Sequence, residues 1–408
     1  MIIAVDRALP YCNEMFSDLG DVRTFAGNEL GPETLRDADA IVVRTVTPVN
    51  GDLLEGSAVR FVGAASTGMD HVDLDYLRRK GIYFCCAAGC NANAVSEYII
   101  TALCDVAVRR NWTLTGKSLA VIGVGHVGSR VARKARAIGM NVLLCDPPLG
   151  DATGDDRYQS FESVLGADIL TFHTPLTDGG LYPTRHMLNQ DVIDRLGPWQ
   201  FLVNASRGEV FDCRALGCAL SEKKIQGAIL DVWEGEPEID YSLLELTDIG
   251  TPHIAGSTLD GKIRAVTLIR DQLCEFLGIS SPLNTDGFYP PVRRIRPRTD
   301  CAPNETVSRA LRESYDIAKD DASLRELASL PDNIRGKNYE GLRTARFLRP
   351  EFPHYTVELD EPCRELADVF TGIGFNTEIS RATSEKLGIK ACDRDKSGVY
   401  TKVNEHFV

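Results

Sequence analysis

The sequence predicts an α/β protein: two doubly wound parallel-sheet domains followed by a third, C-terminal unit. Three observations carry that prediction. Residues 118–146, SLAVIGVGHVGSRVARKARAIGMNVLLCD, read as strand, glycine turn, helix, strand and acidic residue. Short apolar runs recur on both sides of this unit, at intervals that admit helices. The chain also has 408 residues, too many for one core.

The first domain opens with strand-like runs at 2–5, 40–43, 60–64 and 82–85, which suggest a small parallel sheet. Residues 94–110 follow a long helical pattern and could link two domains. Residues 119–122 form an apolar run suited to a buried parallel strand. Gly123, Gly125 and Gly128 then spell G-x-G-x-x-G. The first glycine permits a tight turn, the second lets backbone approach a pyrophosphate, and the third lets the helix pack closely. The helix N-terminus points free N–H groups at the phosphates. His126 and Val127 lie in this loop and read as backbone contacts to the pyrophosphate. Gly139 suits a helix C-cap, and residues 142–145 form the next strand. Asp146 stands where a carboxylate accepts ribose hydroxyls and repels a 2′-phosphate, which favours NAD over NADP. Further strands are predicted at 168–172, 200–204, 227–230 and 248–250, then a helix at 261–278. Pro290 and Pro291, followed by RRIRPR, read as a solvated linker before a tail of about 110 residues, a domain's worth.

Composition narrows the function. Hydrophobic content of 43% and charged content of 25% are ordinary for a globular protein. A formal net charge of -13 argues against general nucleic-acid binding. The start, MIIAVDRALP, has no basic n-region, so no signal peptide is expected. The longest apolar stretch, residues 98–108, contains Asp105 and is too short to span a bilayer. Twelve cysteines without C-x-x-C pairs read as reduced thiols of a cytoplasmic protein, and scattered histidines give no metal site.

Three segments fall at or just after strand ends, where open α/β sheets bind ligands. They are 204–212 (NASRGEVFD), 230–238 (LDVWEGEPE) and 251–258 (TPHIAGST). Oxidising a hydroxyl-bearing carbon needs a proton acceptor, and histidine suits that task. A carboxylate on the far ring nitrogen fixes its tautomer. Arginine offers a planar fork for a substrate carboxylate. His253, Glu236 and Arg207 fill these roles. Each alone has a structural reading; their placement after successive strands raises the functional one.

Together GVGHVG, HTPL at 173–176, NASRG, DVWEGEPE and TPHIAGST resemble the D-isomer-specific 2-hydroxyacid dehydrogenase family, in the family's order across roughly residues 40–280. The resemblance implies a Rossmann nucleotide domain (96–254) inserted in a flavodoxin-like substrate domain (1–95 and 255–288). It implies catalytic Arg207, Glu236 and His253. It also implies NAD contacts at Asp146, Thr174, Ser206, Asp231 and Gly256. Arg44, Thr45, Ser66, Gly68 and Ser257 would face the substrate, though Ser257 and Ala88 stand where tyrosine and proline are expected. Residues 315–328 and 337–339 resemble the C-terminal α+β dimerisation domain of one branch of the family, which implies a homodimer with a tail at 289–408. The implied substrate is a small phosphorylated 2-hydroxy acid. Arg44 is the candidate for its phosphate, with a structural arginine the equal alternative. Other 2-hydroxy acids, such as phosphoglycerate or hydroxypyruvate, and a non-enzymatic NAD(H) sensor stay open.

Overall fold

The computed structural model describes residues 1–380 except 28 and 345–347. The tail expected at 289–408 therefore extends beyond the described residues from 381 onward.

The first sheet has the order β2-β1-β3-β4-β5, all parallel. Its strands are β1 (Ile2–Asp6), β2 (Asp21–Phe25), β3 (Ala40–Val43), β4 (Phe61–Ala64) and β5 (Tyr83–Cys86). The central strands β3 and β4 are buried along their whole length, as helices on both faces require. β2 escapes the sequence reading because it is an edge strand, DVRTF, with only Phe25 buried. This order is the flavodoxin-like one.

The second sheet holds seven parallel strands in the order β12-β11-β10-β9-β6-β7-β8. They are β6 (Ser118–Ile122), β7 (Asn141–Cys145), β8 (Tyr158–Gln159), β9 (Ile169–Phe172), β10 (Phe201–Asn204), β11 (Gly227–Leu230) and β12 (Ile249–Gly250). The strand order reverses between β6 and β9, the switch point of a Rossmann sheet. The helix Ala92–Arg109 leads into this sheet from the first. The helix Leu259–Leu277 leads back: its Ile263, Val266, Ile269 and Leu273 pack with Ile3, Val5 and Phe61 of the first sheet.

The basic run after Pro291 is not a solvated linker. It forms β13 (Arg293–Ile295), which pairs in parallel with β14 (Tyr355–Asp360), itself paired with β15 (Asn376–Ser380). Ile295 points into the core, while Arg294 and Arg296 reach across to Glu358. Alternation, inward apolar and outward charged, makes the strand.

The tail shares the nucleotide domain's cores. Val307, Leu311, Phe352 and Phe370 join the cluster of Ile99, Leu103 and Val131. Leu324, Leu327 and Tyr339 join the cluster of Trp233 and Leu243. A buried polar knot ties the tail to both linking helices. Glu97, fully buried, accepts from Arg349 Nη1 at 2.7 Å, Phe352 N at 2.8 Å and Asn93 Nδ2 at 2.9 Å. Glu351 accepts from Thr258 Oγ1 at 2.9 Å and Asn93 Nδ2 at 2.7 Å, and pairs with Arg264.

Candidate active site

The nucleotide cradle forms because β6 ends in glycine. Gly123 adopts φ 86°, a left-handed turn that other residues resist. A Cβ on Gly128 would lie 1.9 Å from the Gly123 oxygen, so only glycine lets the helix His126–Ala137 start against the turn. A Cβ on Gly125 would meet nothing within 4 Å, which leaves its face open to a ligand. His126 is exposed, and its ring lies against Gly89 of the first domain. Asp146 follows β7 and accepts Val124 N at 2.8 Å and Leu149 N at 3.0 Å. Its carboxylate thus braces the glycine loop, and lone pairs remain for hydroxyls. The buried Thr174 hydroxyl has no partner among the described residues. These residues fit a dinucleotide: an open glycine face, a helix N-terminus, a braced acid and an orphan hydroxyl.

A cleft of about 650 Å³ runs from this cradle between the two parallel domains. Thr45, Ser66 and Gly68 line one wall, just past β3 and β4. Val127, Thr174, Ser206, Arg207, Asp231, His253, Gly256 and Ser257 line the other parts. The structure thus brings most of the residues singled out in the sequence to one place, at the carboxyl ends of the strands.

Glu236 and His253 are joined directly, Oε2 to Nδ1, at 2.8 Å. Glu236 Oε1 accepts Trp233 N–H at 2.7 Å. Burial alone would raise the Glu236 pKa. The hydrogen bond and charge of His253, with the Trp233 N–H, outweigh burial and hold it below the usual carboxylate range. Glu236 is therefore an acceptor only, which puts the ring proton on Nδ1 and leaves Nε2 free. His253 adopts φ 54°, unusual for a side-chain-bearing residue. Asp231 imposes that turn: it is fully buried and accepts Thr251 Oγ1 at 2.6 Å, Ile254 N at 2.8 Å and Ala255 N at 2.9 Å.

Arg207 follows β10 on a loop organised by Asn204. The buried amide of Asn204 donates to Arg207 O at 2.9 Å and accepts from Ser206 Oγ at 2.8 Å. Arg207 Nη2 reaches Asp70 of the first domain at 3.3 Å. A Cβ on Gly68 would lie 2.6 Å from that same Nη2, so glycine is what admits the guanidinium. Half-buried His173, which lines the cleft, is pushed down to about 3 by desolvation, which keeps its imidazole neutral.

Arg44 departs from its proposed place. It stands beside Thr45, but its Nε pairs with buried Asp6 at 2.8 Å and it does not line the cleft. Strand adjacency explains this: β1 and β3 are neighbours, so Asp6 at the end of β1 meets Arg44 just past β3. Among the lining residues that escaped the sequence reading are Asp70, Asn91, Lys262 and Arg343. Arg343 comes from the tail helix Asp332–Thr344, and no local motif points to it.

A histidine with one nitrogen held by a carboxylate can draw a proton from a hydroxyl. An arginine in the same cleft can hold the neighbouring carboxylate, and the cradle beside both takes a nicotinamide cofactor. That is the chemistry of NAD-dependent dehydrogenases of 2-hydroxy acids. Residues 105–255 match the family model described as D-isomer specific 2-hydroxyacid dehydrogenase, NAD binding domain. The chain is 42% identical to an erythronate-4-phosphate dehydrogenase of Proteus mirabilis, over 92% of this chain and 99% of that protein. It is 39% identical to the Hahella chejuensis enzyme of the same name, over 92% and 99%. Among solved structures it resembles D-lactate dehydrogenase of Aquifex aeolicus, complexed with NAD and lactic acid. That likeness has a TM-score of 0.55 at 25% identity and covers 68% of this chain and 96% of that one. The chain belongs to the D-isomer-specific 2-hydroxyacid dehydrogenases and, within them, to the erythronate-4-phosphate dehydrogenase family.

Proposed function

We propose that the protein oxidises 4-phospho-D-erythronate at C2 with NAD, giving (R)-3-hydroxy-2-oxo-4-phosphobutanoate and NADH, a step toward pyridoxal 5′-phosphate. The observation that carries this is His253, held by Glu236, lining the same cleft as Arg207. Whole-length likeness to enzymes bearing that substrate's name supports it. The cofactor, when bound, supplies the hydride acceptor. Arg207 holds the substrate carboxylate and polarises the C2 oxygen. His253 Nε2 takes the C2 hydroxyl proton, and Glu236 stabilises the imidazolium that results. Asp231 and Gly256 keep the histidine loop in place beside the cofactor, while Thr174, Ser206 and Asp146 hold the cofactor itself. Thr45, Ser66, Gly68 and Ser257 contact the substrate.

The same reading makes the protein a cytoplasmic homodimer that joins through its tail. An apolar groove of about 110 Å³ lies at the seam between this tail and the nucleotide domain, where Trp112, Leu114 and Ile138 meet Val307, Leu366 and Val369. The cysteines of the described residues are all free thiols, in keeping with a reducing compartment. Among the described residues no helix is long and apolar enough to cross a membrane.

NADH formation tests the function directly, with 4-phospho-D-erythronate beside 3-phosphoglycerate and D-glycerate. Strong preference for the first supports the assignment. Turnover only on another acid keeps the class and discards the substrate. Sedimentation at low concentration tests the dimer.

A further inference from the structure

The cleft carries three cations: Arg207, Lys262 and Arg343. Arg207 faces the substrate carboxylate in the reading above. Lys262 already has a partner in this chain. Arg343 is different, because it comes from the tail. Its helix, Asp332–Thr344, lies across the catalytic loop. A Cβ on Gly336 would be 2.3 Å from Glu238 Oε1, so helix and loop touch at that glycine. Tyr339, one turn before Arg343, is fully buried, and Glu236 helps raise its pKa after burial itself. Arg343 continues this face of the helix and reaches the cleft. Its charge also acts on Glu236. Its Nη1 pairs with Glu340 at 2.8 Å, but its Nε is buried with no partner among the described residues.

A guanidinium that lines a substrate cleft, with only one of its N–H groups committed to a carboxylate among the described residues, is suited to an oxyanion. Arg44, the other candidate, is tied through its Nε to Asp6 and does not line the cleft. The D-lactate dehydrogenase fold, moreover, leaves nearly a third of this chain without a counterpart, and lactate bears no phosphate. We infer that Arg343 receives the substrate's phosphate, so that the C-terminal unit sets selectivity for the phosphorylated acid. This inference rests on the proposed function.

The test uses full-length Arg343→Ala and Arg343→Lys, assayed for NADH formation with 4-phospho-D-erythronate and with unphosphorylated D-erythronate. Losing a charge-assisted hydrogen bond predicts a KM for the phosphorylated acid higher by about 10–10²-fold, with kcat falling far less. The preference for the phosphorylated acid over D-erythronate should shrink by the same factor, and Arg343→Lys should recover part of it. A merely structural role would lower both activities together, which overturns the inference. So would an unchanged KM, or an effect that follows Lys262→Ala instead. If Arg343→Ala melts far below wild type, Arg343→Lys carries the comparison. Failure of wild-type protein to oxidise 4-phosphoerythronate sinks the proposed function and this inference with it. Wild-type turnover with an indifferent Arg343 sinks this inference alone.

Discussion

Replacing Glu236 with glutamine changes one atom, yet the local hydrogen bonds decide where that atom must go. Trp233 N–H donates to Oε1 at 2.7 Å, so the glutamine must put its carbonyl there. The amide NH₂ then takes the Oε2 position, 2.8 Å from His253 Nδ1. It presents a donor to a nitrogen that was itself a donor. The imidazole answers by moving its proton to Nε2, the nitrogen that must accept the substrate's proton. Turning the amide over would set two donors face to face and cost roughly 1–3 kcal/mol. The wrong tautomer therefore dominates by about tenfold to a hundredfold. The variant also loses the charge that stabilises imidazolium, so the full expectation is a fall in kcat of about 10²–10⁴-fold. Initial rates of NADH formation at saturating substrate measure it, with NAD affinity as a control for folding. A kcat within a few-fold of wild type would refute the assigned tautomer and the pair's role together.

Gly68→Ala puts a methyl 2.6 Å from Arg207 Nη2, and the displaced guanidinium should lower kcat/KM for the hydroxy acid by about 10–10²-fold. NAD affinity, read by fluorescence titration, should hardly change. Arg44→Ala leaves buried Asp6 short of its cation and should cost about 1–3 kcal/mol in denaturant melts. It should leave the substrate KM near wild type; a raised KM would return the phosphate to Arg44. Arg349→Met strips the cation from Glu97 and should destabilise by about 3–5 kcal/mol at pH 8. Burial raises Glu97 to about 7 in the fold, against 4.5 as its ordinary value. The folded state thus binds the proton more tightly, and the stability this gives at acid pH is lost as pH rises through about 7. Removing Arg349 raises the folded value further, so its cost should be smaller at pH 5 than at pH 8. Urea melts at both would show a pH-independent loss if this is wrong.

What the sequence revealed was what is local. The glycine turn, the buried parallel strands and the segments after β10, β11 and β12 all announce themselves within about ten residues. Parallel sheets put such segments at one edge, so the cleft follows from order alone. β2 stayed hidden because an edge strand needs only one buried side chain, Phe25. The run RRIRPR read as solvated because its carboxylate partners, Glu358 and Glu378, lie more than sixty residues on. Arg44 invited a ligand role because Asp6 is 38 residues away, across a strand pairing that spacing does not disclose. Arg343 was out of reach for the same reason: only docking of the tail on the catalytic loop brings it to the cleft.

The contact between Arg207 and Asp70 sets the terms on which any acid enters. Asp70 is 76% exposed and so returns to water at little cost, while Arg207 is largely sheltered. The arginine is kept aimed without being kept filled. An arriving carboxylate enters by exchange, one anion for another, and because the exposed Asp70 contact is weak the newcomer keeps most of its own bond. A one-carboxylate inhibitor should therefore find Arg207 ready for it, and one with a second anion placed to reach the tail should hold more tightly still.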